Sequence, residues 1–541
     1  MRLLFAFAFM LLFSACINQR VDLIVHHAQI YTVNNEFTMA EAMAIQDGKI
    51  VAVGSNDDIL KEYQSDSMVN ANEAIIYPGF IDAHAHFLGY GQSLYAVDLM
   101  FVPSWFEAIE RVKAFAANHP GKGWIKGRGW DQNRFPGKEF PTNAELNILF
   151  PDRPVILERV DGHASIANDY ALALAGVKAG QTMEGGLFTT QNGKLTGLLI
   201  DNAVGVVEKK IPDATNEDYK NWLTAAQQNC FATGLTTITD CGLSPEEVDR
   251  VDALQKSNDL KMRLYVMLSD KPITYTSKYF TSGGYVTDKL MVKGIKVYGD
   301  GALGSRGACL NQAYADKAGW SGFLLSSPAH FDSVAATLIS TDFQMCTHAI
   351  GDSANRTILK VYAKYLKGKN DKRWRIEHAQ IIDPSDLHYF GDNNIIPSVQ
   401  PTHGTSDMYW AGARLGAQRL KTGYAFKQLL EQNNWLPLGT DFPVEEINPF
   451  KTFLAAVARQ DSKGFPAGGF QMENALTREQ TIRGMTIWAA KANRMEKQVG
   501  SIEVGKKADF IILDKDLMKV PTDSILHVKV LKTYLNGERV F

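Results

Sequence analysis

Apolar residues in this chain fall into short runs, and most of the runs are separated by stretches with helical spacing. Eight runs stand out after residue 79: 80–84, 235–240, 263–268, 294–298, 343–348, 374–378, 395–400 and 436–441. Several are apolar almost throughout, as expected of parallel strands covered on both faces. Apolar positions at helical spacing lie between them, for example at 331–339, 354–365 and 426–432. Eight strand–helix units predict an α/β fold that closes as a (β/α)8 TIM barrel.

The two chain ends read differently. Residues 21–33, 43–53 and 74–77 are rich in Val, Ile and Ala, with an Asp47-Gly48 hairpin turn. Residues 508–513 and 528–541 look similar, with an Asn536-Gly537 turn. They predict one composite β-sandwich domain from 17–78 and 499–541, with the barrel at 79–498 between its halves. The gap between the first two barrel strands is too long for a loop. Residues from about 90 to 220 are therefore expected to form an inserted subdomain over the barrel mouth. It carries its own strand at 155–160, together with Trp130, Arg134 and an Asp161-Gly162-His163 turn.

Composition narrows the function classes. Lys and Arg total 56 against 59 Asp and Glu, a net charge of -3, so there is no basic footprint for nucleic acid and no polybasic membrane patch. The N-terminus is distinct. Met1-Arg2 precedes an apolar run at 3–13, too short to span a bilayer, and then Ser14-Ala15-Cys16. Residues 1–16 read as a secretory signal and resemble a bacterial lipoprotein signal, in which Cys16 is lipidated. An ordinary signal peptide cut near Ala15 and a buried N-terminal helix are the alternatives. No Asp follows the cysteine in Ile17-Asn18, so nothing argues for inner-membrane retention. The expectation is an exported envelope protein on the outer membrane, touching the membrane only through a lipid anchor. Cys230, Cys241, Cys309 and Cys346 form no Cys-x-x-Cys pair and read as small buried residues.

Chemistry in such barrels sits at the C-terminal strand ends. The first run ends in His84 and His86, the fourth contains Lys296, the fifth ends at His348, the sixth at His378 and the eighth at Asp441. Residues two apart on a strand share a face, so His84 and His86 can hold one ion, with Asp82 orienting a ligand. Taken singly, each has a bland reading: a core histidine, a helix-capping aspartate, a salt-bridged lysine. Taken together they are the imidazole and carboxylate ligands of Zn²⁺ and related ions. A buried lysine in such a cluster is expected to have a lowered pKa and to react with CO₂, giving a carbamate able to bridge two metals.

These motifs resemble the amidohydrolase superfamily, and within it the amidohydrolase family 3 or YtcJ-like branch that includes N-substituted formamide deformylases. The matching pieces are residues 78–86, Lys296 through Arg306, His348-Ala349-Ile350-Gly351-Asp352, Glu377-His378-Ala379-Gln380, Gly439-Thr440-Asp441-Phe442-Pro443 and the stretch 505–510. The resemblance implies one or two divalent ions, zinc foremost, held by His84, His86, His348, His378, carboxylated Lys296 and Asp441. It implies that Asp441 is also the catalytic proton shuttle, that His163 donates to a substrate carbonyl and that Trp130 walls the pocket. Arg306 either meets a substrate carboxylate or pins its own Gly-rich loop. The expected activity is metal-dependent hydrolysis of a non-peptide C–N bond, in an amide or N-substituted formamide. Hydrolysis of esters, lactones or cyclic amides is the alternative within enzymes; a non-catalytic, lipid-anchored metal- or ligand-binding protein is the alternative outside them. The partner is a small-molecule substrate, and oligomeric state, homodimer included, is left open. Cys16→Ser is expected to release the protein from membrane fractions; retention there contradicts the lipoprotein reading.

Overall fold

The computed structural model describes residues 19–541. The expected signal at 1–16, with Cys16, lies outside the described residues. Seven parallel strands run through the central sheet: β1 (Phe80–Ala85), β2 (Leu235–Leu243), β3 (Arg263–Ser269), β4 (Leu290–Tyr298), β5 (Gln344–Ala349), β6 (Arg375–His378) and β7 (Ile396–Ser398), and a two-residue strand at Tyr285–Val286 adds to β4 antiparallel. Each pairs in parallel with the next.

The eighth run, 436–441, does not form a regular strand. It meets the β7 side through one parallel bridge, Val399 to Leu438. It meets β1 through the Ala83 N–H donating to Leu438 O at 3.1 Å and the Asp441 N–H donating to His84 O at 2.7 Å. The barrel is thus nearly closed. The seam is tight because residue 439 is glycine: a Cβ there would lie 2.6 Å from His84 N and 2.9 Å from Asp82 Oδ1. Asp82 fastens the seam. Its carboxylate accepts from the Thr440 N–H at 3.0 Å, the Thr440 hydroxyl at 2.7 Å and the His84 N–H at 3.1 Å. Asp82, expected to orient a ligand, reaches His84 through its backbone N–H and bonds no imidazole ring.

Alternation along β3 to β6 sorts side chains between two surroundings. Leu264, Val266, Leu268, Ile295, Val297, Met345 and Ile376 join the large cluster shared with the surrounding helices. Tyr265, Met267 and Cys346 belong to a separate buried cluster, and Lys296, Arg375 and Glu377 alternate in phase with them. Helices at Pro328–Leu338, Asp352–Leu366 and Phe426–Asn433 occupy the expected helical stretches. The first starts where the Ser327 hydroxyl accepts the His330 N–H, with Pro328 at the first helical position.

The chain ends share a sheet. Phe510–Leu513 pairs antiparallel with Ile75–Pro78 in a six-stranded sheet, and a separate four-stranded sheet comes from the N-terminal part alone. One buried cluster draws Val25 and Ile45 from the smaller sheet and Ile76, Phe510 and Tyr534 from the larger. Between β1 and β2 the chain builds a seven-stranded sheet that runs from Val97–Asp98 to Lys194–Asp201, far more than the single strand expected. Cys230, Cys241 and Cys346 are buried and, like Cys309, unpaired.

Gly439→Ala is expected to lower stability by on the order of 2 kcal/mol, because backbone and a buried carboxylate cannot yield to the added methyl. An unchanged urea midpoint would contradict this account of the seam.

Candidate metal centre

A cavity of about 1680 Å³ lies at the C-terminal ends of the barrel strands, with the inserted sheet contributing to its lining. His86, His163, Lys296, His348, His378 and Asp441 all line it. His84 lies beneath, fully buried at the end of β1. His86 has left the strand and sits where the helix Phe87–Ser93 begins. Both rings still approach one carboxylate: Asp441 Oδ1 is 3.5 Å from His84 Nε2 and 3.3 Å from His86 Nε2.

His84, His378 and Asp441 each offer a ligand atom within 4.8 Å of the others. The His348 ring centre is 4.5 Å from that of His378, and the His84 ring centre is 4.8 Å from it. Two atoms here are buried without a hydrogen-bond partner, Asp441 Oδ1 and His348 Nε2. Buried polar atoms are rarely left so unless something else satisfies them.

The electrostatics favour ligation. Burial, helped by Lys296, lowers His84 to about 4. Burial, helped by neighbouring imidazoles, holds His348 and His378 well below the usual histidine range. These rings are therefore neutral and keep a lone pair. Burial opposes ionisation of Asp441, but the histidines around it, His84, His403 and His86, outweigh it and hold the carboxyl well below the usual range. Neutral imidazoles around an unpaired carboxylate oxygen fit a divalent ion with nitrogen and oxygen ligands.

Two of the rings are oriented from behind. His84 Nδ1 is 2.5 Å from Glu377 Oε2, which leaves Nε2 facing the centre. His378 Nδ1 is 2.8 Å from Gln400 Oε1. Glu377 is itself fully buried; burial opposes its charge, but Arg375 and His84 hold it strongly ionised. Arg375 Nε lies 2.7 Å from Glu377 Oε1.

Lys296 departs from expectation. Its Nζ is 3.3 Å from His84 Nε2, inside the cluster. Burial pulls the amine down, yet Cys241, Tyr298, Glu377 and Asp441 together push its pKa up.

His163 reaches the cavity from the inserted sheet. Its Nδ1 is 2.6 Å from Asp201 Oδ1, and its ring centre is 5.0 Å from that of His348. Trp130 is elsewhere. It is fully buried in the core of the inserted sheet and donates Nε1–H to Leu157 O at 2.7 Å, so it is no pocket wall. Arg306 pairs with Asp316 at 3.0 Å and does not line the cavity, which leaves the loop-pinning alternative.

Three residues of the site were not foreseen: His403, Glu445 and Asp201. His403 Nε2 is 3.1 Å from Asp441 Oδ2, and its Nδ1 is 3.1 Å from Glu445 Oε1. It lies in the helix Pro401–Asp407, beyond β7. No spacing rule reaches a histidine there. The one cue was its place just after a barrel strand.

The sequence matches the Amidohydrolase family over residues 67–541. It is 32% identical over 543 residues to Protein LONG AFTER FAR-RED 3 of Arabidopsis thaliana, covering 96% of this chain and 91% of that protein. It is 29% identical to the putative amidohydrolase YtcJ of Bacillus subtilis, covering 95% of this chain and 98% of the relative. The N-substituted formamide deformylase of Arthrobacter pascens is 25% identical, over 96% of this chain and 98% of the relative. Among solved structures, an uncharacterized metal-dependent hydrolase from Pyrococcus horikoshii has a TM-score of 0.75 at 27% identity, covering 92% of this chain and 99% of that one.

Glu377→Gln is expected to weaken zinc binding by roughly 10- to 100-fold, since the carboxylate behind His84 sets its orientation and basicity. Calorimetric titration of the metal-free protein reads this directly. Unchanged affinity would remove Glu377 from the site.

Proposed function

The chain belongs to the amidohydrolase family, and from that premise we propose that it hydrolyses a non-peptide C–N bond, in an amide or N-substituted formamide, with a divalent metal. The observation that carries this reading is the convergence of His84, His378 and Asp441 at the cavity, with Asp441 Oδ1 and His348 Nε2 unpartnered. The similarity to a formamide deformylase over nearly the whole chain supports the bond type.

His84, His86, His348, His378 and Asp441 would hold the metal, zinc by preference, as one ion or two. A bound divalent ion supplies Lewis-acid polarisation of the carbonyl and lowers the pKa of water to about 7. The remaining work falls to side chains. Asp441, an anion beside the imidazoles, accepts a proton from the attacking water and returns it to the departing amine nitrogen. His403 holds the second oxygen of Asp441 in place. His163, held by Asp201 at the cavity wall, would donate to the substrate carbonyl. The products are a carboxylic acid, or formate, and a free amine.

We further assign Lys296 as a carbamate in the metal-loaded enzyme: its amine attacks CO₂, releases a proton and becomes an oxygen ligand. An ammonium has no lone pair to offer a metal, so the unmodified side chain would not serve. The Ser14-Ala15-Cys16 run supports placing the enzyme in a bacterial envelope on a lipid anchor.

The test is a panel of N-acyl amines, N-substituted formamides included, given to the metal-loaded protein. Amine release is expected, abolished by chelator and restored by zinc. Asp441→Asn is expected to lower kcat by about 10²- to 10⁴-fold while metal remains bound. Bound metal with no hydrolysis across the panel would contradict the proposal and favour a binding protein.

A further inference from the structure

Strand order places β4 across the barrel mouth from the segment that carries Asp441. The strands run β1 to β7 in sequence, and 437–441 closes the ring between β7 and β1. β4 is therefore the fourth of eight positions and faces the eighth. Lys296 and Tyr298 lie two residues apart on β4, so both point to the same side.

Tyr298 lines the cavity, and 38% of its surface is exposed. Its ring centre is 5.2 Å from Lys296 Nζ and 5.8 Å from the His348 ring centre. Its hydroxyl lies near Gly242, at the end of β2. The Ser269 hydroxyl, at the end of β3, donates to Gly242 O at 2.6 Å and makes no hydrogen bond to Tyr298. Several other tyrosines of the barrel and its helices are occupied: Tyr265 with Gln344, Tyr275 with Asp270, Tyr362 with Met345 O, Tyr424 with Asp407. The Tyr298 hydroxyl has no hydrogen-bond partner among the described residues.

An unpartnered donor thus stands on one wall of the mouth and a proton-accepting carboxylate on the opposite wall. Hydrolysis of an acyl group needs both: a base for the water and a donor for the negative charge that builds on the carbonyl oxygen. We propose that the Tyr298 hydroxyl donates a hydrogen bond to the scissile carbonyl oxygen of an N-acyl amine and strengthens that bond as the oxygen becomes an oxyanion. This rests on the hydrolase reading above. The competing role is packing alone, with the ring serving as a platform for Lys296.

Tyr298→Phe separates the two roles because it keeps the ring and removes the hydroxyl. Zinc content is expected to match the wild type. Turnover of the best N-acyl amine is expected to fall by about 10²-fold in kcat, with KM changed less. Binding of N-benzyl methylphosphonamidate, a tetrahedral anion, is expected to weaken at least about tenfold by calorimetry. A kcat and a phosphonamidate affinity both within twofold of wild type would overturn the proposal, and so would a loss that follows zinc content. Wild type that binds the phosphonamidate but hydrolyses nothing would defeat the hydrolase reading, while the binding comparison still decides the role of Tyr298. Wild type that fails to bind it would overturn the proposal as well.

Discussion

The buried ion pair between Arg375 and Glu377 underlies the arrangement at the barrel mouth. Both side chains are fully buried on β6, where neither charge would be tolerated alone. Arg375 also donates to Ala83 O at 2.6 Å and to the Ser398 hydroxyl at 2.8 Å, tying β1, β6 and β7 together. Glu377 in turn fixes His84. One pair of charges thereby sets the spacing of three strands and the direction of a candidate ligand ring. Replacing either partner leaves a buried charge without compensation, so a loss of stability accompanies any loss at the site.

The second constraint is the seam. Closing the barrel brings the backbone of residues 439–441 against β1, and Gly439 with Asp82 makes the approach possible. That closeness carries Asp441 to within 3.5 Å of both His84 and His86. Asp441 itself has a φ of 65° and His378 one of 71°, a backbone region that L-residues other than glycine rarely adopt. Irregular backbone at two candidate ligands marks a segment shaped by its site rather than by its sheet.

Much of this was legible in the sequence, for identifiable reasons. Seven of the eight apolar runs form strands because a parallel strand buried on both faces must be apolar nearly throughout. His84, His348, His378 and Asp441 were visible because strand ends set their positions. The eighth run misled, since its apolar residues pair through single bonds and a bridge instead of a ladder. Trp130 and Arg306 misled differently. An aromatic ring near a pocket packs inward as readily as outward, and an arginine in a Gly-rich loop finds the nearest carboxylate, here Asp316. His403 and Asp201 reach the site through loop and helix geometry that no residue spacing encodes. At Lys296, burial acts against Cys241, Tyr298, Glu377 and Asp441, groups brought together only by the fold.

The most direct test is anomalous diffraction from crystals of the zinc-loaded protein. The expected result is a peak about 2.0–2.2 Å from ligand atoms of His84, His378 and Asp441, with density for a carbamate extending beyond Lys296 Nζ. Zinc found only elsewhere, or a cluster that stays empty when the protein is saturated with the ion, would contradict the assignment of a metal centre to these residues.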